Sequence, residues 1–254
     1  MERRTKIYEG KAKILYETDD PNLLIQYFKD EATAFNAQKR GIIEQKGVYN
    51  NRISSVLFTY LERRGVRTHF VKQLNDREML VKRLAIIKIE VVIRNISAGS
   101  LSKRLGLPEG KPLPAPVLEF FYKDDALGDP MINDDHVRLL GLATPREVRA
   151  IRKRALVVNN LLRKFLDKRG LILVDFKLEF GRHRRQLLLG DEITPDGCRL
   201  WDKETLEKMD KDRFRRDLGK VEEAYQEVYR RITGSQLSAD FGELSRAVGS
   251  RQKP

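Results

Sequence analysis

Asp175, Lys177 and Glu179 alternate along Leu171-Ile172-Leu173-Val174-Asp175-Phe176-Lys177-Leu178-Glu179-Phe180. The stretch reads as a β-strand, in which successive side chains point to opposite faces. Val174, Phe176, Leu178 and Phe180 then share an apolar face. The acid, base and acid share the other, spread over about 7 Å per repeat. A second acidic run, Gly190-Asp191-Glu192-Ile193-Thr194-Pro195-Asp196, follows the turn Gly181-Arg182-His183-Arg184-Arg185. A hairpin pairing Phe180 with Gln186 sets Asp175 opposite Asp191, so that three carboxylates surround Lys177. Carboxylates that close need positive charge between them. Lys177 supplies some, and a hard divalent cation supplies the rest; magnesium, which keeps waters and shares its ligands with phosphates, fits best. A plain solvated strand face is the alternative.

Three further clusters could handle anions. Tyr8-Glu9-Gly10-Lys11-Ala12-Lys13 is a glycine turn with two lysines on one side, and it lacks the Gly-Lys-Ser/Thr of a phosphate loop that opens a helix. Its amides and ammonium groups would meet a polyphosphate, although a solvated basic hairpin fits as well. Arg94 lies in the apolar half of a strand and, if buried, needs a partner. With Ser100 and the amides that open the next helix, it would make a phosphate monoester pocket. The alternative pairs Arg94 with an internal carboxylate and leaves Ser100 as a cap. Arg199, in Asp196-Gly197-Cys198-Arg199-Leu200-Trp201-Asp202, falls close to any phosphate held by the acidic run. Lys211-Asp212-Arg213-Phe214-Arg215-Arg216-Asp217 reads as a helix start laced with ion pairs.

The secondary structure carrying these groups is legible in outline. Short strands are expected over 5–9, 14–17 and 23–28, a helix over 40–64 ending at Gly65, and strands over 67–73 and 78–84. A strand over 86–96, a short helix over 101–105 closed by Gly106, a Pro/Gly connection over 107–116 and a strand over 117–122 follow. Thr144-Pro145-Arg146-Glu147 is a capping box with proline at the first helical position. It opens a helix closed by Gly170, with Val148, Ile151, Leu156, Leu162 and Phe165 as its core stripe. Another helix is expected over 217–232. A seam near residue 85 separates two lobes and is the natural cleft.

Composition narrows the class. The chain has 254 residues, 41% hydrophobic and 34% charged, with a formal charge of +13. That is enough for a large core or two lobes. No apolar run approaches the roughly 20 residues of a membrane span, and the N-terminal residues lack the apolar segment of a signal peptide. The single cysteine, Cys198, fits a reducing cytoplasm and a structural role. The basic residues are spread along the length without interleaved aromatics, which argues for solvated surface over a nucleic-acid site. His69, His136 and His183 lack metal-ligand spacing.

Taken in order, the Tyr8–Lys13 motif, Val92-Ile93-Arg94-Asn95 with Ala98-Gly99-Ser100, and Lys123-Asp124-Asp125 with Gly128-Asp129-Pro130 resemble the SAICAR synthetase family. Val174 through Gly181, Asp191 through Asp196 and Arg199-Leu200-Trp201-Asp202 extend the resemblance over about residues 6–232. It implies an α+β, two-lobed fold. An N-terminal antiparallel lobe (1–84) would cover ATP, a larger α/β lobe (85–235) would carry the substrate and metal sites, and 236–254 would be an extension. It also implies a cytoplasmic, homodimeric, ATP-dependent ligase of purine biosynthesis. Such an enzyme joins L-aspartate to carboxyaminoimidazole ribonucleotide (CAIR) through an acyl phosphate, with no nucleic-acid or membrane partner. Carried over by position, Gly10, Lys11, Ala12, Lys13 and Lys82 belong to ATP, and Glu179 and Asp191 to Mg2+. Arg94, Ser100, Asp175 and Arg199 belong to CAIR, and Lys177, Asp129 and Arg215 to the reacting carboxylate or the aspartate. Ser97, Thr194, Gly197 and Lys88 depart from the family's frequent residues without removing a ligand.

Overall fold

The computed structural model describes residues 2–34 and 39–234. Three strands, Lys6–Glu9 (β1), Lys13–Glu17 (β2) and Leu23–Phe28 (β3), open the chain. Glu31–Ala34 (β4) and Lys39–Ile42 (β5) form a separate two-stranded ribbon before the helix Lys46–Glu62 (α1). Phe70–Gln73 (β6) and Glu78–Lys82 (β7) complete an antiparallel sheet of order β1-β2-β3-β7-β6.

The second sheet begins with Ala85–Ile96 (β8), followed by the helix Gly99–Leu105 (α2) and Pro112–Tyr122 (β9). A 3-10 turn, Asp125–Leu127, leads to Met131–Ile132 (β10) and the helices Asp134–Leu139 (α3) and Pro145–Asp167 (α4). Leu171–His183 (β11), Gln186–Gly190 (β12) and Cys198–Asp202 (β13) follow, then the helices Asp212–Arg215 (α5) and Val221–Thr233 (α6). The sheet runs β10-β9-β8-β11-β12, and β13 pairs with the first part of β11. The fold is α+β. Among the described residues no helix is long and apolar enough to cross a membrane. The expected extension over 236–254 lies outside the described residues.

β11 is the strand on which the site depends. β8 flanks it along one edge, and β12 and β13 divide the other. Its residues Leu171, Leu173, Phe176, Leu178 and Phe180 enter the main core, where α4 lies against it. Val174 does not join them. A register shift between Leu173 and Asp175 turns Val174 to the other face, against Ala98 and Trp201.

Several expected boundaries move for identifiable reasons. The helix expected over 40–64 begins only at Lys46, because Gln45 before it adopts φ 60° and offers no side-chain cap. No cap signal marked that start in the sequence. β9 begins at Pro112, inside the expected Pro/Gly connection; there only β8 pairs with it, and an edge strand tolerates proline. On α4 the capping box of Thr144 and Glu147 forms, but Leu156 is 43% exposed and Ala155 fills the core position. Ala155 stands four residues after Ile151, whereas Leu156 is one step too far round the helix.

The two sheets meet at Arg83-Leu84. Leu84 packs so tightly onto the β11–β12 ribbon that a Cβ at Gly190 would come within 2.6 Å of its Cδ1. Glycine at that position therefore lets the connection lie directly on the ribbon.

Candidate functional site

The hairpin closes three residues later than the sequence suggests. His183 pairs with Gln186 around a turn in which Arg184 takes φ 54°, and Phe180 pairs with Leu189. Asp175 is thus not opposite Asp191. It stands between Arg94 of β8 and Arg199 of β13. Three carboxylates do surround Lys177, but Glu90 takes the place expected for Asp175. Lys177 lies 2.9 Å from Glu90, 3.2 Å from Glu179 and 3.8 Å from Asp191.

Two groups of charges result. In the first, Glu90 and Glu179 are directly cross-strand, an arrangement that like charges disfavour. Lysines offset it: Lys123 reaches both oxygens of Glu179 at 2.6 Å, and Lys177 bridges the rest. Lys13, from the glycine turn, pairs with Asp191 and lies 2.6 Å from Glu192. Asp191 follows the last residue of β12 with φ 63°, a strained conformation of the kind concentrated at functional sites. Burial works against the Lys177 ammonium, yet Glu179, Glu90 and Glu192 hold its pKa well above the ordinary value. Burial likewise opposes the Glu179 carboxylate, and Lys177, Lys123 and Lys13 outweigh it and bring the group down to about 2.

A stability consequence follows from that depression. Glu179 contributes stability above its ordinary pKa of 4.5 and loses it as pH falls toward about 2. Chemical unfolding measured across that window is expected to show a steeper acid limb for the wild type than for Glu179→Gln. Parallel curves would mean that Glu179 is not held by the lysines.

The second group is a chain of alternating charges. Arg104 pairs with Glu119, whose other oxygen lies 2.7 Å from Arg94 Nε. Arg94 is 3% exposed and donates further to Asp175 at 3.0 Å and Ser100 at 2.9 Å. Asp175 accepts from Arg199 at 2.9 and 3.1 Å. Arg199 then donates to Asp212 at 2.8 Å, and Asp212 accepts from Arg215 at 2.6 Å. Arg94 thus pairs with internal carboxylates, as the second sequence alternative has it, and it also holds Ser100. Ser100 is not the cap of α2, which is Ala98.

The loop between the two groups is fixed by a buried strut. Asp196 accepts from Lys46 at 2.7 Å, Asn50 at 3.1 Å and Tyr225 at 2.6 Å. Lys46 and Tyr225 are fully buried.

Of the other expected site residues, Lys11 lies 2.8 Å from Asp125, and the Ala12 carbonyl accepts from the Lys29 amide. Gly10 donates its amide to the Lys13 carbonyl, closing the turn. Lys82 does not join the first group; it donates to the Thr68 carbonyl and lines a cavity of about 370 Å³ with His183, Arg184 and Arg185. Asp129 accepts from the Asp124 amide at 3.0 Å within its own loop. Arg215 pairs with Asp212 in the second group. Cys198 is buried, and burial raises its thiol well above the ordinary value, as suits a structural cysteine. Glu90, Lys123, Glu119 and Asp212 received no role from the sequence. Cross-strand register is the signal that would have found Glu90 and Glu119.

Among the described residues no three His, Cys, Asp or Glu side chains form a metal-binding cluster. Glu179 and Asp191 nonetheless share Lys177 between them. Magnesium typically takes one or two carboxylates and completes its shell with water and substrate phosphate. The pair fits that donor set.

A half-buried acid–base lattice thus lies next to a separate arginine chain, and cations so arranged can receive anions. The SAICAR synthetase family profile matches residues 6–232. The phosphoribosylaminoimidazole-succinocarboxamide synthase of Caldanaerobacter subterraneus is 58% identical over 91% of this chain and 99% of its own. The crystal structure of the Ehrlichia chaffeensis enzyme of that name superposes with a TM-score of 0.88 at 49% identity, covering 90% of this chain and 98% of that one. A SAICAR synthetase in complex with ADP gives 0.89 at 47% identity, over 91% and 99%. The chain belongs to the SAICAR synthetase family.

Proposed function

We propose that the protein performs its family's reaction, as an ATP-dependent ligase of purine biosynthesis. It condenses L-aspartate with 5-amino-1-(5-phosphoribosyl)imidazole-4-carboxylate (CAIR), giving SAICAR, ADP and phosphate. The observation that carries this reading is the lattice of Lys13, Lys123 and Lys177 interleaved with Glu90, Glu179 and Asp191.

A carboxylate resists attack by an amine because its oxygen is a poor leaving group. Phosphorylating the CAIR carboxylate with the γ-phosphoryl of ATP makes an acyl phosphate, which the aspartate amine attacks with loss of phosphate. The first step forces two anions together, so charge neutralisation is the main task. Lys11, Lys13 and Lys123 bind the nucleotide phosphates, with Gly10 and Ala12 shaping the turn. Segment 79–83 borders the base through its backbone, since the Lys82 ammonium is engaged by Thr68. Lys177 sits between the transferring group and the carboxylate. Glu179 and Asp191 would hold magnesium, which would supply Lewis-acid polarisation of phosphate oxygens. Arg94, Ser100, Asp175 and Arg199 hold the phosphoribosyl end of CAIR, and Arg215 and Asp129 flank the aspartate. Holding three substrates in register contributes up to about 7–11 kcal/mol in favourable cases.

The assay is ADP release with each acceptor omitted in turn. Release that needs both CAIR and aspartate supports the ligase; release with one acceptor alone makes the protein a kinase. The reading includes a cytoplasmic homodimer, for which sedimentation velocity is the direct test of assembly.

Gly99 gives a finer check. It takes φ 54°, and a Cβ there would come within 2.4 Å of Arg199 Nη2. Gly99→Ala is expected to displace that guanidinium and raise the CAIR KM on the order of 10-fold, leaving the ATP KM unchanged. An effect on ATP alone would remove Arg199 from the CAIR pocket.

A further inference from the structure

α6 covers only the first part of α1. Tyr225 shares Asp196 with Lys46 and Asn50. One turn on, the Tyr229 ring lies 5.5 Å from that of Tyr49, and its hydroxyl accepts from Arg52 at 2.9 Å. α6 therefore climbs beside α1 in the same direction. It stops at Thr233, where Gly234 takes φ 76°. Val56 and Tyr60 follow Arg52 on the same face of α1 at steps of four, level with that end and beyond it. Both are only partly buried.

α4 forms a second wall. The Tyr60 hydroxyl donates to the Leu161 carbonyl at 3.2 Å, and its ring lies 4.4 Å from that of Phe165. Val157, one turn before Leu161, is 44% exposed. The trough between the helices thus has an apolar floor. Its rim is basic. Arg169 stands where α6 ends, with Nε donating to the Ile232 carbonyl at 3.3 Å and Nη1 to the Phe165 carbonyl. Arg64 lies over the Tyr60 ring and donates to the Tyr60 carbonyl, and Lys164 is exposed one turn after Leu161. Among the described residues none of these three cations pairs with a carboxylate. Burial pulls Arg169 below its ordinary pKa, and only Tyr60 opposes it.

Residues 235–254 continue from the end of α6, past the family match and outside the described residues. Their acids, Asp240 and Glu243, have capping-box spacing, and Gly249 after Val248 is a helix stop signal. Phe241, Leu244 and Val248 between those signals recur at helical spacing. Both acids precede the segment's first basic residue, Arg246.

We propose that residues 241–248 dock in this trough of their own chain. Phe241, Leu244 and Val248 lie against Val56, Tyr60 and Val157, and Asp240 and Glu243 face Arg64, Lys164 and Arg169. Length agrees: a helix over 241–248 spans about 12 Å, as does the stretch 157–164 of α4, and 235–240 can reach about 20 Å from Gly234. Charge agrees as well, because the rim offers cations and the segment brings carboxylates. The docked segment holds the end of α6 on α1, and with it Tyr225 and the Asp196 strut. None of the docking side chains belongs to either charge group, so the ligase reading stands or falls separately.

Hydrogen–deuterium exchange on the full chain and on Phe241→Asp tests this. The variant is expected to exchange about 3–10-fold faster over 56–64 and 157–164, with β11 unchanged. Its thermal midpoint is expected to fall by about 2–4 °C. Val157→Asp is expected to reproduce both effects, and the double variant to add little to either single. Unchanged exchange and midpoint in Phe241→Asp overturn the proposal, as do fully additive losses in the double variant. So does a loss of oligomer in sedimentation velocity with Phe241→Asp, which would put the segment against a second copy.

Discussion

Asp191→Asn is expected to lower turnover by about 10²–10³-fold while the fold persists, the scale at which one preorganised charge contact acts on a transition state. Asparagine is the informative replacement. It keeps the volume and tolerates the φ of 63° that alanine would resist. Lys13 retains Glu192, and Lys177 retains Glu90 and Glu179, so no buried ammonium is stranded. On the proposed reading the loss therefore falls on the carboxylate pair that would hold magnesium beside the nucleotide phosphates. Rapid-quench measurement of ADP formation checks it with substrates saturating. Near-normal turnover would remove Asp191 from the machinery.

Asp175→Ala is expected to cost about 3–5 kcal/mol of stability, the range for removing one member of a buried ion pair. Burial pushes the Asp175 carboxyl up, and Arg199 and Arg94 pull it back. Removing it leaves two guanidiniums facing each other, with only Glu119 and Asp212 at the outer ends. Asp175→Asn is expected to cost less, because an amide oxygen still accepts. Urea unfolding gives the comparison. A loss below about 1 kcal/mol for the alanine variant would mean that the alternating chain is not a cooperative network.

Local pattern was more legible in the sequence than register. Alternation alone placed Lys177 and Glu179 on one face of a strand, and the capping box at Thr144 located α4. The fold class, the family and the enzyme class also followed from the order of the motifs. Register was not legible. A hairpin longer by three residues moved Asp175 from the Lys177 group into the arginine chain, and a bulge moved Val174 off the main core face. Glu90 entered the site because it is cross-strand to Glu179, and no local pattern carries that pairing. Lys123 arrives from a loop after β9, whose path depends on tertiary contacts. α3 was missed although Asn133 and His136 form a capping box at its start, because so short a helix has almost no periodicity to read.

On the proposed reading, β11 and its neighbours grip the nucleotide phosphates beside a second anion. A crystal structure with magnesium and a non-hydrolysable ATP analogue tests it most directly. Oxygens of Glu179 and Asp191 are expected at about 2.0–2.1 Å from the metal, or one bonded water away. Phosphates are expected against Lys13. Phosphates bound away from the Gly10–Lys13 turn, with both carboxylates still closed on their lysines, would contradict that reading.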